Sequence, residues 1–251
     1  MFGILLVSTI RTLFGTPAWW RKIIPGGVLN LLSTQVLVLI LAGQISIELG
    51  VGLLIITFAL LLIAWGYLYR VFVDALNGSE TLILPSWSNW RAYALAGFWL
   101  LVIALGYSVI AVAGLSMIVS VLGLMPSSAE EAGPLSLLLM FAFIFFYGFF
   151  PIVFTRFAAE GRVWAAFEPG PVWQDLKKIA RGDYIQACFG LFGVSLLGNL
   201  VLGALPQVGL ALASAFWFLV MVLFARVLGL LIHLAHKPKG SSPWPVDEPR
   251  N

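Results

Sequence analysis

Apolar residues fill six stretches of this chain, at about 23–47, 49–72, 92–122, 135–157, 184–205 and 208–234. An α-helix needs about 20 such residues to cross ~30 Å of hydrocarbon, whereas a barrel strand needs about 10 with strict alternation. The stretches are continuous, so the pattern predicts six membrane-crossing helices. Only Glu48 and Gly50 divide the first two, which predicts a tight hairpin. The third is long for one crossing and should tilt, kink near Gly106 or Gly114, or end in a short interfacial segment. Pro151 should kink the fourth, and Pro206 with Gln207 should turn the chain between the last two. Residues 1–22 carry Arg11 inside a short apolar stretch and fit neither a cleavable signal peptide nor a span. They read as a helix lying in the interface, with Ser8, Arg11, Thr12 and Thr16 toward water and Trp19 and Trp20 at headgroup depth. The chain therefore divides into an interfacial segment (1–22), a six-helix membrane domain (23–234) and a flexible cytoplasmic tail (235–251).

Two polar segments interrupt this pattern. The first, "GYLYRVFVDALNGSETLILPSWSNW" (66–90), holds an arginine that can snorkel to phosphates, Asn77-Gly78 for a turn, Leu84-Pro85 to stop a helix, and Trp87 and Trp90 for the interface. The second, "EPGPVWQDLKKIARGDY" (168–184), can open a helix at Pro171. Its Val172, Trp173, Leu176, Ile179 and Ala180 recur at helical spacing, with Gln174, Asp175, Lys177, Lys178 and Arg181 opposite, so an amphipathic helix on the cytoplasmic face is expected. Both segments leave one span and re-enter another past two tryptophans, at Trp87 and Trp90 and at Trp164 and Trp173. Parallel hairpins of this kind occur in some transporters.

Composition agrees: of 251 residues 61% are hydrophobic and only 10% charged, against about 25% charged in soluble domains, and the mean hydropathy is +1.02. Charge then orients the spans. With both termini inside, all 14 Lys and Arg residues fall on cytoplasmic segments or on the inner part of the last helix, while the outer loops keep Glu48, Glu130 and Glu131. Short cytoplasmic loops carry this excess, and a basic inner face attracts anionic lipid. No dense basic run suggests nucleic acid. Cys188, the single cysteine, lies in an apolar run and reads as a small hydrophobe.

Reactive chemistry is sparse. Glu130-Glu131 are adjacent loop carboxylates that point apart, and neither a phosphate-binding Gly-Lys-Ser/Thr loop nor His-Glu-x-x-His occurs. His233 and His236, one turn apart, are the one pair that a metal or a tetrapyrrole magnesium would use; interfacial polar residues are the plainer reading, and no cofactor beyond lipid is expected. Arg226 is the deepest charge, with Glu160 or Asp183 as expected partners. With Gln35 and Asn199 it would line a transport path. Small residues at Ala92 and Ala96, at Ala211 and Ala215, and at Gly190, Gly193, Gly198 and Gly203 predict close helix approach.

"WWRKIIPGG", "GYLYRV", Leu84-Pro85-Ser86-Trp87 with Trp90, and "FEPGPVWQDLKKIARGDY" together resemble, in order and spacing over about residues 19–235, the prokaryotic membrane family catalogued as domain of unknown function 4013. The resemblance implies a polytopic all-α bundle in a prokaryotic plasma membrane or internal energy-converting membrane, and implies no reaction. The long third span and the "SSAEEAG" loop depart from the family pattern. The expected role is therefore a non-catalytic accessory or assembly subunit among other integral membrane proteins. Its partner contacts would be Trp87, Trp90, Trp164 and Trp173, and its lipid-headgroup contacts Arg70, Lys177, Lys178 and Arg181. The alternative is a small-molecule or lipid transporter, or a lipid-handling protein.

Overall fold

The computed structural model describes residues 1–79, 81–121, 148–179, 182–205 and 208–236. Their elements are helices: α1 (Phe2–Gly15), α2 (Trp19–Leu41), α3 (Ile47–Leu76), α4 (Trp90–Val121), α5 (148–160 among the described residues), α6 (Pro169–Ile179), α7 (Gly182–Gly203) and α8 (Gly209–His236). Short 3-10 turns lie at Trp87–Asn89 and Val163–Phe167. The helices α2, α3, α4, α7 and α8 are long and apolar enough to cross a bilayer. The chain is a multi-pass all-α membrane bundle. Most of the expected fourth span, residues 135–147, lies outside the described residues, as do Glu130, Glu131, Pro206, Gln207, Ala180, Arg181 and the tail beyond His236.

Helix α8 is the centre. Two thirds (67%) of its apolar window is buried, against 17–22% for the other crossing helices. Phe218, Val222, Val227, Leu228 and Ile232 are enclosed completely. The outer helices instead turn Ile55, Val109 and Leu197 outward, the pattern expected where lipid rather than water is the solvent.

Close approach happens at glycines, and of the small residues that the spacing singled out Ala215 takes part, whereas Gly193 and Gly203 do not. A Cβ on Gly66 would strike the Tyr93 backbone carbonyl, one on Gly97 the Leu62 carbonyl, one on Gly27 the Ala215 Cα, and one on Gly229 the Ala75 side chain. Gly193 and Gly203 face open space, and Gly198 only accommodates the Phe216 ring. Composition cannot say which side of a helix meets a neighbour. The seams run along α3–α4, α2–α8 and α3–α8.

Helix α4 runs unbroken through Gly106 and Gly114. Gly106 leaves room for the Phe167 ring, and Tyr107 Oη donates to the Ala166 carbonyl at 2.6 Å, so the second connector packs against the middle of α4. Helix α1 buries Thr9 and Leu13 against the bundle and exposes Ser8 and Arg11. Thr12 and Thr16 are half-buried, and their hydroxyls donate to carbonyls one turn back rather than needing water.

The two polar connectors share a local form. Helices α3 and α5 both end near a glycine with positive φ, Gly78 at 76° and Gly161 at 66°, and a tryptophan-bearing 3-10 turn follows each. Helix α6 is amphipathic in the expected register, with Leu176 packed against the core, except that Asp175 and Trp173 exchange sides. Val172, Asp175 and Ile179 are buried, while Trp173 faces out beside Lys177, whose Nζ lies 5.4 Å from the indole centroid. The cause is an ion pair: Arg156 Nε donates to Asp175 Oδ2 at 2.5 Å, and His236 Nε2 lies 3.4 Å from Oδ1. A satisfied carboxylate can face inward, and doing so carries the indole outward.

Candidate functional site

The last three turns of α3 build one wall of a cleft. Gly66 lets α4 approach to backbone contact, which sets Arg70, one turn further on, beside the first turns of α4. Arg70 Nε lies 3.1 Å from Asp74 Oδ1, an i,i+4 pair with both groups partly in solvent. Such a pair contributes only about 0.3–0.5 kcal/mol, so it remains free to rearrange around a ligand.

The loop after α3 is held from beneath. Asn77 and Gly78 turn the chain, and Ser79 N and Oγ both donate to the Asp74 carbonyl. Arg226, on the central helix and only 3% exposed, donates from Nη1 to Ser79 Oγ at 2.6 Å and from Nη2 to the Ser79 carbonyl. His233 Nδ1 lies 2.8 Å from the Leu76 carbonyl, with its ring against Gly78. Further along, Leu82 and Leu84 are buried, and Lys22 Nζ donates to the Leu84 carbonyl. Tyr93 Oη caps the segment by donating to the Ser86 carbonyl at 2.8 Å.

Between these walls lies a cleft of about 710 Å³. That is the scale of small-molecule sites, about 300–1,000 Å³. Arg70, Asp74 and Arg226 line it together with Asn77, Ser79 and Asn89, and Val71, Leu82, Ala92 and Ala96 supply apolar surface. Glu80 lies outside the described residues. Among the described lining residues the cleft thus offers two guanidinium groups and one carboxylate. A charge inside a membrane protein is costly and survives where it is paired or useful. Arg226 is within Coulombic reach of Asp74, but its hydrogen bonds go to Ser79.

Arg226 does not meet the partners expected from sequence. Glu160 pairs with Arg162, whose guanidinium pKa that hydrogen bond raises, and Asp183 accepts from the Phe2 amide at 3.2 Å. Glu160 thus serves its own connector, and Asp183 ties the start of α7 to the start of α1. Gln35 is exposed on α2, and Asn199 Nδ2 donates to Ser195 O within α7 at 2.7 Å. Neither lines the cleft with Arg226.

The four tryptophans separate as well. Trp87 turns inward: its Nε1 donates to the Lys22 carbonyl at 2.9 Å, and its ring stacks on Tyr67 with centroids 4.3 Å apart and planes at 7°. That geometry makes it a joint between the loop and α2. Trp90, Trp164 and Trp173 are 49%, 79% and 57% exposed. Arg70, Lys177 and Lys178 are solvent-facing, and Arg181 lies outside the described residues. His233 and His236 engage different partners, Leu76 and Asp175, and the described residues hold no group of three His, Cys, Asp or Glu. Cys188 is a free, half-buried thiol in α7.

Sequence reasoning missed Asp74 and Ser79. The Arg70–Asp74 spacing was legible as an i,i+4 pair, whereas Ser79 acquires its role only because α8 packs beneath it.

The family model described as "Protein of unknown function (DUF4013)" matches residues 49–207. The match spans α3 to α7 and includes Arg70, Asp74 and Ser79; Lys22 and Arg226 fall outside it. No curated protein and no solved structure matches the chain.

Proposed function

The chain belongs to the DUF4013 family, and from that premise we propose that it is a lipid-handling membrane protein, without a reaction of its own, whose α3–α4 cleft receives the polar headgroup of an amphiphile. One observation carries the reading. A buried arginine from the most enclosed helix reaches the wall of an open, half-apolar cleft that also holds Arg70 and Asp74. Headgroup recognition needs polar groups at the end of the bundle and apolar surface continuous with it, and Leu82, Ala92 and Ala96 provide the latter. The distribution of basic residues supports placing this end at the cytoplasmic face of a prokaryotic plasma membrane or internal energy-converting membrane, with both termini inside.

The test is phospholipid content after extensive exchange into lipid-free mild detergent. Wild type should retain stoichiometric phospholipid, and Arg70→Gln, at an exposed position that should fold, should lose most of it. Equal retention by both would overturn the assignment.

The accessory-subunit reading keeps one supporting observation, the outward-facing Trp164 and Trp173 on the second connector. A native gel of the mild-detergent extract would then show constant companions, and Trp164→Ala with Trp173→Ala would release them. A lone band would remove that reading.

A further inference from the structure

The charges in the cleft point to a narrower ligand class. We propose that the headgroup it selects is zwitterionic, carrying a phosphate and a primary ammonium as in phosphoethanolamine; this rests on the lipid-handling reading above.

The argument is one of complementarity. Arg70 presents a solvent-facing guanidinium that matches phosphate oxygens in geometry and charge, and Arg226, whose Nη atoms donate to Ser79, adds a second positive charge to the cleft wall. Asp74 stands one helical turn from Arg70, at 3.1 Å, and its side chain is partly exposed. A purely anionic headgroup would meet the arginines but bring its charge against Asp74. A purely cationic one would meet two arginines. A zwitterion places the phosphate beside Arg70 and Arg226 and its ammonium against Asp74, so that each of its own two charges meets an opposite one.

The choice of a primary ammonium follows from hydrogen bonding. Asp74 and the side-chain carbonyls of Asn77 and Asn89 are acceptors that line the cleft, and an –NH3⁺ group has three hydrogens to donate to them. A quaternary ammonium has no donor and is recognised instead by a cage of aromatic faces. The two lining tyrosines do not form one. Tyr69 stacks on Phe157 at 5.4 Å, while Tyr93 packs edge-on to Tyr67 and commits its hydroxyl to Ser86.

The full chain would be purified, delipidated in detergent, and titrated by native mass spectrometry with three phospholipids of identical acyl chains bearing ethanolamine, choline or glycerol headgroups. The ethanolamine lipid should be retained about fivefold over the other two, the upper end of what one half-exposed ion pair supplies. Asp74→Asn should abolish that preference while leaving total lipid binding, and Asp74→Glu should restore it. Arg70→Gln should weaken all three alike. Equal retention of the three lipids by wild type, or an ethanolamine preference that survives Asp74→Asn, would overturn the proposal while leaving lipid handling intact. Absence of any retained lipid would overturn lipid handling itself. A parallel titration with water-soluble phosphoethanolamine separates the sources. Displacement of lipid at equal concentration, lost in Asp74→Asn, upholds the recognition chemistry with a soluble ligand; no displacement upholds it with the membrane lipid.

Discussion

Replacing Trp87 tests whether this residue is a structural joint or a surface for another protein. Its indole stacks on the buried Tyr67, lies near Phe218 and Tyr93, and donates to Lys22 O. Trp87→Phe keeps most of the ring contact and removes one hydrogen bond, a loss of about 1 kcal/mol. Trp87→Ala also removes the stack and leaves a void. Trp-to-Ala changes in cores cost about 3–5 kcal/mol, and because Trp87 is half-buried the lower figure, about 3 kcal/mol, applies. For a chain of this size about 1 kcal/mol moves a melting midpoint by roughly 2–4 °C, so the alanine variant should melt roughly 6–12 °C lower and the phenylalanine variant roughly 2–4 °C lower. Trp164→Ala is the control: at 79% exposure it should shift the midpoint by no more than about 2 °C, within the ±0.5 kcal/mol usual for surface positions. The assay is thermal unfolding of all four proteins in the same detergent, followed by tryptophan fluorescence and by loss of monodispersity. A Trp87→Ala variant as stable as wild type would refute the joint and restore Trp87 to the exposed surface.

Other positions give equally direct outcomes. Gly66→Ala should destabilise the bundle by more than about 2 kcal/mol and empty the cleft, because the new Cβ meets the Tyr93 backbone carbonyl, while Gly52→Ala, with open space around it, should be tolerated; thermal unfolding of the pair checks the sign. Asp175→Asn should free α6 from Arg156 and His236 without unfolding the crossing helices, seen as faster amide exchange over 169–179 and unchanged exchange in α8. In a Cys188→Ala background, cysteine at the exposed Gln44 should label from outside the cell and cysteine at the exposed Ser88 should not; the reverse pattern would invert the topology.

The crossing helices were legible because a bilayer imposes one crude demand, a long apolar run, and the runs at 23–47, 49–72 and 208–234 coincide with α2, α3 and α8, although α2 stops at Leu41 and the expected divider Glu48 lies in the first turn of α3. The side a helix turns inward was much less legible. Asp175 shows why: amphipathic spacing assigned it to solvent, and only a partner 19 residues earlier, Arg156, makes its burial tolerable. Trp87 shows the same limit from the other direction. Interfacial tryptophans and tryptophans that close a joint have the same sequence context, and the difference is Lys22 O, 65 residues away, standing at hydrogen-bond distance. The cleft was half legible, since Arg70 and the turn at Asn77-Gly78 are local features, whereas Arg226 joins them from 147 residues beyond Ser79.

That long-range bond links the cleft to the fold. Helix α8 is the element on which α1, α2, α3, α6 and α7 converge, and its one buried charge is spent on the loop that closes the cleft. A ligand that drew Arg226 away from Ser79 would release that loop, and the Leu82–Leu84 plug behind it would keep its burial, the Lys22 bond to Leu84 O and the Tyr93 bond to Ser86 O. The same arginine would then report occupancy of the cleft to the conformation of its rim. The coupling is measurable: amide exchange over residues 81–86 should change on ligand addition in wild type and should not change in Arg70→Gln, whose loop and plug are otherwise intact. Ligand-independent exchange in wild type would mean that Arg226 is a fixed support and that the cleft fills without moving it.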